Sequence, residues 1–548
     1  MCGCAGTPGG GRSPPLRREP RAAVACFSRL ARRSGGPSGA VPKSPSTLEA
    51  PTSVHEESAD AEADVPALVI AWSAEEPQRI GEAALFEMEG SARILGRGGA
   101  DAGSRRVVFG RRRPGERGVA REAQGAGISR EQLRITRKGR QLAVERIGKC
   151  PVLFRGAKVD QCVVAPGDTL LLKGQLLLLF VLRPAQTPLL RNYPPALLGP
   201  FGEPCEMGLL GESTAMWRLR DEVAFHARAG AHALILGPSG AGKELVARAI
   251  HRLSPRSKGP FVARNAATLP VGIAEAELFG NVKNYPNPGM PERPGLVGAA
   301  EGGTLFLDEM GDLPEALHAS LLRVLDGDGE YHRLGEHKAR RADLRVVGAT
   351  NRPPESLKHD LLARLPLRVR VHGLTERRDD IPLLVRHLLR RARDKAPDLV
   401  SRFAGPDGEV GVTSELLEHL VQRSYTTHIR ELDGLLWHAM AKSRGSRVEL
   451  PEDMPEEALA EADPQTSAHL QAEGPAAAAS PGGRAPVRVL RRRPGEEPTA
   501  EEIQAAVTEN GGNLVQAAKA LGLPSRYALY RLLRRHGIDA DALRPTGD

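Results

Sequence analysis

Two stretches of this chain have the residue types and the spacing to handle phosphate. The first is Gly237-Pro238-Ser239-Gly240-Ala241-Gly242-Lys243-Glu244. Its glycines let the backbone fold so that N–H groups point inward at phosphate oxygens, and Lys243 reaches the β- and γ-phosphates. Gly237, Ser239, Gly240, Ala241, Gly242, Lys243 and Glu244 are therefore the nucleotide-contacting candidates. Glu244 stands where a Ser or Thr normally holds Mg2+. The second stretch is Gly302-Gly303-Thr304-Leu305-Phe306-Leu307-Asp308-Glu309, an apolar strand ending in two carboxylates. That pattern assigns the Mg2+ to Asp308 and the polarisation of an attacking water to Glu309. A third strand-like run, Leu344–Asn351, ends in Asn351, which can position the same water from the neighbouring strand.

Elements must bring these groups together. Ala233–Leu236 reads as a buried strand feeding the phosphate loop, and Leu245–Leu253 as the helix behind it. Strand-like and helical stretches alternate over 205–375, which predicts a parallel α/β sheet, and 376–447 reads as helices. In 65–186, short apolar runs are separated by turn residues: Ala67–Ile70, Ala92–Leu95, Gln132–Ile135, Leu142–Val144 and Leu176–Leu182. That spacing predicts an all-β sandwich.

Residues 499–540 hold three short helical patterns: Ala500–Glu509, Leu514–Leu521, and Arg526–His536 capped by Ser525. Gly522-Leu523-Pro524 makes the turn, and the spacing is that of a helix-turn-helix. Ala518, Leu521, Leu523, Leu529 and Leu532 fall at core positions. The third helix exposes Arg526, Tyr527, Tyr530, Arg531, Arg534 and Arg535 and has no acid, which suits phosphates and base edges of DNA.

The chain has 548 residues, enough for several domains, and 60 Gly with 44 Pro, more than average usage. Much of this excess lies in 1–64 and 455–498, read as a disordered leader and linker. Arg484, Arg488, Arg491, Arg492 and Arg493 make the linker basic. A net charge of +9 favours acidic partners only weakly. The six cysteines are too scattered for a disulfide framework or a zinc site, which points to free thiols in a reducing cytosol. Lys173 and Gln175 interrupt the apolar run Leu170–Leu182, so no membrane span is read. Residues 21–33 are Arg-rich with no apolar core after them, so no signal peptide is read either, and a cytoplasmic protein is expected.

From about Gly211 to Ala441 the residues resemble the AAA+ ATPase domain of sigma-54-dependent transcription activators, the bacterial enhancer-binding proteins. That family also places Glu after the loop lysine. The resemblance implies ATP and Mg2+ as ligands and a hexameric ring. It makes Asn265, in Phe261-Val262-Ala263-Arg264-Asn265, the residue that restrains Glu309 until nucleotide is sensed. Arg430, in Arg430-Glu431-Leu432, would contact nucleotide from the helical lid. Arg377 to Pro382 also fit the lid. The family's two arginine fingers, which act in trans, fall on Lys358 and Arg364. Lys is a point charge where Arg is a fork, so slower hydrolysis is expected; the alternative for Arg364 is a solvated helix charge. Glu277-Leu278-Phe279-Gly280 opens the family's surface insertion. Its Gly-Ala-Phe-Thr-Gly-Ala tip is replaced here by Asn284-Tyr285-Pro286-Asn287-Pro288-Gly289. Prolines stiffen that loop, and Tyr285 is a candidate displaced aromatic tip.

Residues 65–186 resemble a forkhead-associated (FHA) domain through Arg93-Ile94-Leu95-Gly96-Arg97, Ser129-Arg130 and Pro166-Gly167-Asp168-Thr169-Leu170. The resemblance implies phosphothreonine binding, with Arg97 and Ser129 gripping phosphate and Arg130 assisting. Gln132 stands where the family has a structural His, and Gly148-Lys149-Cys150-Pro151 replaces the usual Asn-Gly segment. The loop holding Arg105, Arg106, Arg111, Arg112 and Arg113 either attracts the phosphopeptide or is solvated. The C-terminal segment resembles the Fis-type helix-turn-helix, with Ser525, Arg526, Tyr527, Tyr530, Arg531 and Arg534 reading DNA. The expected protein is multidomain and regulates transcription with ATP, a phosphothreonine protein, upstream DNA and a polymerase sigma factor as partners. The alternative is a DNA-bound regulator whose nucleotide site only controls assembly.

Overall fold

The computed structural model describes residues 64–98, 105–116, 118–270, 272–406, 408–455 and 498–509, together with Ala517, Ala518, Leu521, Leu529, Leu532 and Leu533. Between Asp64 and Pro184 these residues form ten strands: β1 Asp64–Ser73, β2 Ala83–Leu85, β3 Ala92–Leu95, β4 Leu133–Lys138, β5 Gln141–Arg146, β6 Val152–Phe154, β7 Ala157–Val159, β8 Gln161–Val164, β9 Thr169–Leu172 and β10 Leu176–Pro184. One sheet has the order β2-β1-β10-β9-β6-β7 and the other β3-β4-β5-β8, both antiparallel. Leu68, Ile70, Leu172 and Leu178 of the first share a core with Leu95, Leu133, Ile135 and Leu142 of the second, which makes a sandwich.

The apolar run at 170–182 has a physical reason. Leu170, Leu172, Leu176 and Leu178 point into the sandwich, while Leu171, Leu177 and Leu179 point the other way into a second core. Strands buried on both faces lose the apolar–polar alternation. A bulge between Ile70 and Trp72 shifts the register so that Ile70 pairs with Leu178 and Trp72 with Leu177. Trp72 is thereby aimed at the second core.

That second core belongs to a helical domain, which follows an α/β domain in the chain. The α/β domain runs α1 Thr214–Ala229, β11 Ala233–Leu236, α2 Lys243–Arg252, β12 Phe261–Asn265, α3 Ala274–Phe279, α4 Gly295–Ala299, β13 Thr304–Asp308, α5 Glu315–Leu325, the short pair β14 Glu330–Tyr331 and β15 Arg340–Arg341, β16 Arg345–Thr350, α6 His359–Arg364 and β17 Leu367–Arg370. Its five-stranded sheet is parallel, in the order β12-β13-β16-β11-β17. The expected alternation of strand and helix thus yields a parallel sheet. Ser213 caps α1 by accepting from the Met216 amide at 3.3 Å, and Gly230 ends it in a left-handed conformation.

The helices α7 Ile381–Lys395, α8 Pro397–Val400, α9 Ser414–Gln422 and α10 His428–Lys442 complete the helical domain. Leu383, Leu384, Leu416 and Leu420 pack with Trp72, Leu177 and Leu179 of the sandwich in one continuous core. The Trp72 indole donates to the Val412 carbonyl at 3.0 Å, and the Thr169 hydroxyl donates to Glu418 at 2.6 Å.

The helix Ala500–Glu509 forms as its pattern predicts. Its Ile503 and Val507 are buried in one cluster with Ala517, Ala518, Leu521, Leu529, Leu532 and Leu533. The proposed leader up to residue 63, most of the 455–498 linker, and the DNA-contacting candidates Ser525, Arg526, Tyr527, Tyr530, Arg531 and Arg534 lie outside the described residues. No described helix is long and apolar enough to cross a membrane.

Candidate nucleotide site

Strand β11 lies between β16 and β17, so the loop that follows it opens at the C-terminal edge of the parallel sheet. This is where open α/β sheets bind ligands. Gly240 and Gly242 adopt φ values of 73° and 104°. Gly240 is also pressed against the helical domain: a Cβ there would lie 2.1 Å from the Thr427 carbonyl oxygen. Gly237 to Gly242 therefore fold into the tight loop expected, and Lys243 begins α2.

The Lys243 ammonium is buried. It donates to the Gly237 carbonyl at 3.0 Å and to Glu309 Oε1 at 3.4 Å. Glu309 follows the end of β13 with φ 49° and ψ 48°. A non-glycine residue there costs about 1–3 kcal/mol, and such outliers cluster at functional sites. The conformation places the second Glu309 oxygen 3.3 Å from the Asn351 amide, which donates to it. The catalytic candidates on β13 and at the end of β16 therefore meet. Burial, then the neighbouring Glu309 charge, raises the Asp308 pKa, while Lys243 pulls it back.

Asn265 ends β12 directly opposite Asp308 in the register. Its side chain accepts from the Ala267 amide at 2.9 Å, capping a 3₁₀ turn. Glu244 is held in an exposed ion pair with Arg248 at 2.6 Å. Asp308 is thus the carboxylate available to Mg2+; among the described residues there is no cluster of three or more metal-ligating side chains. A single carboxylate with phosphate oxygens and water fits the way Mg2+ is usually bound. The left-handed glycine cradle, the buried ammonium and this carboxylate form a donor set that fits a Mg2+–nucleotide.

The helical domain closes one side of the loop. The Ile429 amide donates to the Gly240 carbonyl at 3.2 Å, and Arg430, exposed on α10, lies beside Gly240. Glu431 accepts from the Thr426 and Thr427 amides at 2.8 and 3.2 Å and fixes the start of α10. Arg377 donates to the Ala241 carbonyl at 3.3 Å.

The two finger positions lie together. Lys358 caps α6 and Arg364 ends it, and within the chain they pair with Glu315 and Asp326. The replaced surface loop is pinned rather than extended. Asn281 is buried and its amide donates to the carbonyls of Val282, Tyr285 and Pro291 at 3.0, 3.2 and 3.0 Å. Tyr285 packs on Gly335, where a Cβ would lie 2.6 Å from the Tyr285 Cγ. Tyr285 to Gly289 are all exposed, so the ring of Tyr285 stays accessible on this loop.

At one end of the sandwich, the Arg97 amide donates to the Ser129 carbonyl at 3.1 Å and the Lys149 amide to the Ser129 hydroxyl at 3.0 Å. Arg97 and Arg130 are exposed beside them. Gln132 is fully buried: its amide nitrogen donates to the Cys150 carbonyl at 2.8 Å and its oxygen accepts from the Cys150 and Ser129 amides at 3.2 and 3.3 Å. It ties the Ser129 turn to the Cys150 segment, a structural role. The basic loop is not solvated as a whole. Arg113 is buried against Glu212 of the α/β domain, Arg112 donates to the Ala185 carbonyl, and Arg106 pairs with Glu122. The inter-domain roles of Arg113 and Trp72 have no local motif; the uninterrupted leucines of β9 and β10 were the available signal.

The sigma-54 interaction domain family matches residues 209–374, and the AAA+ ATPase lid domain family matches 375–471. The DNA-binding transcriptional regulator NtrC of Salmonella typhimurium is 35% identical over 269 residues, 48% of this chain and 55% of that protein. The transcriptional regulatory protein ZraR of the same species is 32% identical over 345 residues, 61% of this chain and 70% of that protein. Among solved structures, NtrX from Brucella abortus in complex with ATP is similar at 31% identity and a TM-score of 0.40, covering 60% of this chain and 69% of that one. The fold and site define a P-loop protein with a parallel sheet and helical lid. The chain belongs to the family of transcriptional regulators that carry a sigma-54 interaction domain. It spans about half the length of NtrC.

Proposed function

We propose that this chain is an ATP-hydrolysing transcriptional regulator that binds upstream DNA and remodels sigma-54-type RNA polymerase holoenzyme in response to a phosphothreonine signal. The observation that carries the enzymatic reading is the meeting of Lys243, Asp308, Glu309 and the Asn351 amide at one edge of the parallel sheet. Mg2+-bound ATP supplies the reactive γ-phosphorus. The loop amides of Gly237 to Gly242 and Lys243 bind its phosphates, Asp308 holds the metal, and Glu309 orients a water and accepts its proton. Asn351 positions that water from the neighbouring strand, Asn265 restrains Glu309 until nucleotide is sensed, and Arg430 closes from the lid. Arg364, with the weaker point charge of Lys358, reaches the γ-phosphate of a neighbouring copy in a hexameric ring.

The remaining assignments are an FHA-like domain over 65–186, an ATPase core over 205–375, its lid over 376–447 and a Fis-type DNA reader over 499–540, in a cytoplasmic protein. The experiment is transcription from a sigma-54 promoter with purified holoenzyme, with hydrolysable ATP and with a non-hydrolysable analogue. Open complexes are expected only with hydrolysable ATP. Their absence while DNA binding persists supports a second reading, a DNA-bound regulator whose nucleotide site controls assembly. The pinned Asn284–Gly289 loop and Lys358 favour that second reading.

For the sensor end, Arg97→Ala is expected to weaken binding of a phosphothreonine peptide about tenfold or more, because it removes a charge-assisted bond. Titration calorimetry with the peptide in both forms reads this. Equal wild-type affinity for the unphosphorylated peptide discards the sensor.

A further inference from the structure

Three buried carboxylates, Glu212, Asp379 and Asp380, gather beside the phosphate loop. Asp380 accepts from the Glu212 and Ser213 amides at 2.7 and 2.9 Å and from the Ser213 hydroxyl at 2.6 Å. Arg377, also buried, feels the charges of Asp380 and then Asp379, and it donates to the Ala241 carbonyl of the loop at 3.3 Å. The cations that pair with the other two carboxylates come from the sandwich. Arg183, on β10, places Nε and Nη2 at 3.1 and 2.5 Å from Asp379. Arg113 places Nε and Nη2 at 3.2 and 3.1 Å from the two oxygens of Glu212.

The charge balance decides what this arrangement does. A buried carboxylate stripped of its cation is strongly disfavoured. Without Arg183, Asp379 would compete with Asp380 for Arg377, and without Arg113 the buried Glu212, whose backbone amide holds Asp380, would lose its guanidinium partner. The Arg377 guanidinium would then be drawn away from the Ala241 carbonyl.

We infer that Arg183 and Arg113 of the sandwich are positioning residues of the nucleotide site, acting through Arg377 on the phosphate loop. The inference rests on the loop's reading as a nucleotide site. It makes the sandwich a constitutive part of that site rather than a tethered accessory.

The test uses the full chain and a fluorescent ATP analogue. Arg183→Ala and the double variant with Arg113→Ala are expected to weaken nucleotide binding at least tenfold, with KM rising and kcat changing less than threefold. Arg183→Lys, which keeps the charge on Asp379, is expected to stay within threefold of wild type. Trp72→Phe removes an indole bond of the same interface away from the acids. It is expected to change affinity less than twofold. Unchanged affinity in the double variant overturns the inference, as does an equal loss in Arg183→Lys and Arg183→Ala. A loss in Trp72→Phe as large as in Arg183→Ala also overturns it, because general docking would then explain both. Failure of the wild-type chain to bind the analogue overturns the nucleotide reading itself, and the inference with it.

Discussion

Glu309→Gln is expected to reduce ATP turnover by about 10²–10⁴-fold while ATP still binds. The amide keeps the size of the side chain and the oxygen that the Asn351 N–H reaches. It cannot accept a proton from water. Lys243 loses one of its acceptors, since its 3.4 Å contact is to the Glu309 carboxylate. The ammonium is then freer for phosphate, so affinity is expected to hold or tighten. The Asp308 carboxyl, pushed up first by burial and then by the Glu309 charge, is expected to come down. Asp308 therefore stays ionised for Mg2+ in the variant. Phosphate-release kinetics read the turnover, and a fluorescent analogue reads the binding. Wild-type turnover in Glu309→Gln would remove Glu309 from the chemistry and sink the enzymatic reading.

The nucleotide site was legible because its signals are local. A phosphate loop needs glycines at fixed offsets between a strand and a helix, and Gly240 and Gly242 do adopt left-handed backbone. The acid pair was legible for the same reason, since Asp308 and Glu309 end a continuous apolar strand. Spacing carries no information about which residues meet across the sheet. The Asn351 contact to Glu309 is made by the backbone amide, and the Asn265 side chain caps its own turn; side-chain type announces neither contact.

Long-range pairing was the larger gap. Arg113 and Glu212 are distant in sequence, and each looks like an ordinary surface charge until burial is known. A basic loop reads as solvated by default, because most charges are exposed. Here the loop crosses to another domain. The leucines of β9 and β10 did announce a second buried face, but a run broken by Lys173 and Gln175 reads first as a failed membrane span. Those two residues lie in the turn between the strands. In the surface loop, the prolines predict stiffness. The clamp that sets its shape is Asn281, outside the replaced motif, and no pattern marks it.

Arg79→Ala is expected to destabilise the sandwich by about 3–5 kcal/mol, the range for breaking a buried ion pair. Arg79 is fully buried and meets five acceptors. Its Nε donates to Glu82 at 2.7 Å, and Nη1 donates to Glu76 at 2.8 Å and to the Glu122 carbonyl at 2.6 Å. Nη2 donates to the carbonyls of Phe109 and Arg121 at 3.3 and 3.0 Å. Burial pulls its pKa down, but the bonds to Glu76 and Glu82 outweigh that and raise it, so the charge stays. Alanine leaves three carbonyls without this donor and Glu82 buried, with Arg111 as a weaker partner at 3.7 Å. A double variant with Glu82→Gln removes the stranded charge and is expected to recover part of the loss. Hydrogen exchange on the full chain reads the effect where it arises. Amides of β1 and β2 are expected to exchange about 2 × 10²–5 × 10³ times faster, the same free energy expressed as a rate. The consequence reaches the nucleotide site, because Arg79 pins both arms of the loop that carries Arg113. Loosening that loop should weaken nucleotide binding even though Arg79 touches neither Glu212 nor Arg377. A change in β1 exchange below about tenfold would show that Arg79 is dispensable, and the loop would then need another anchor.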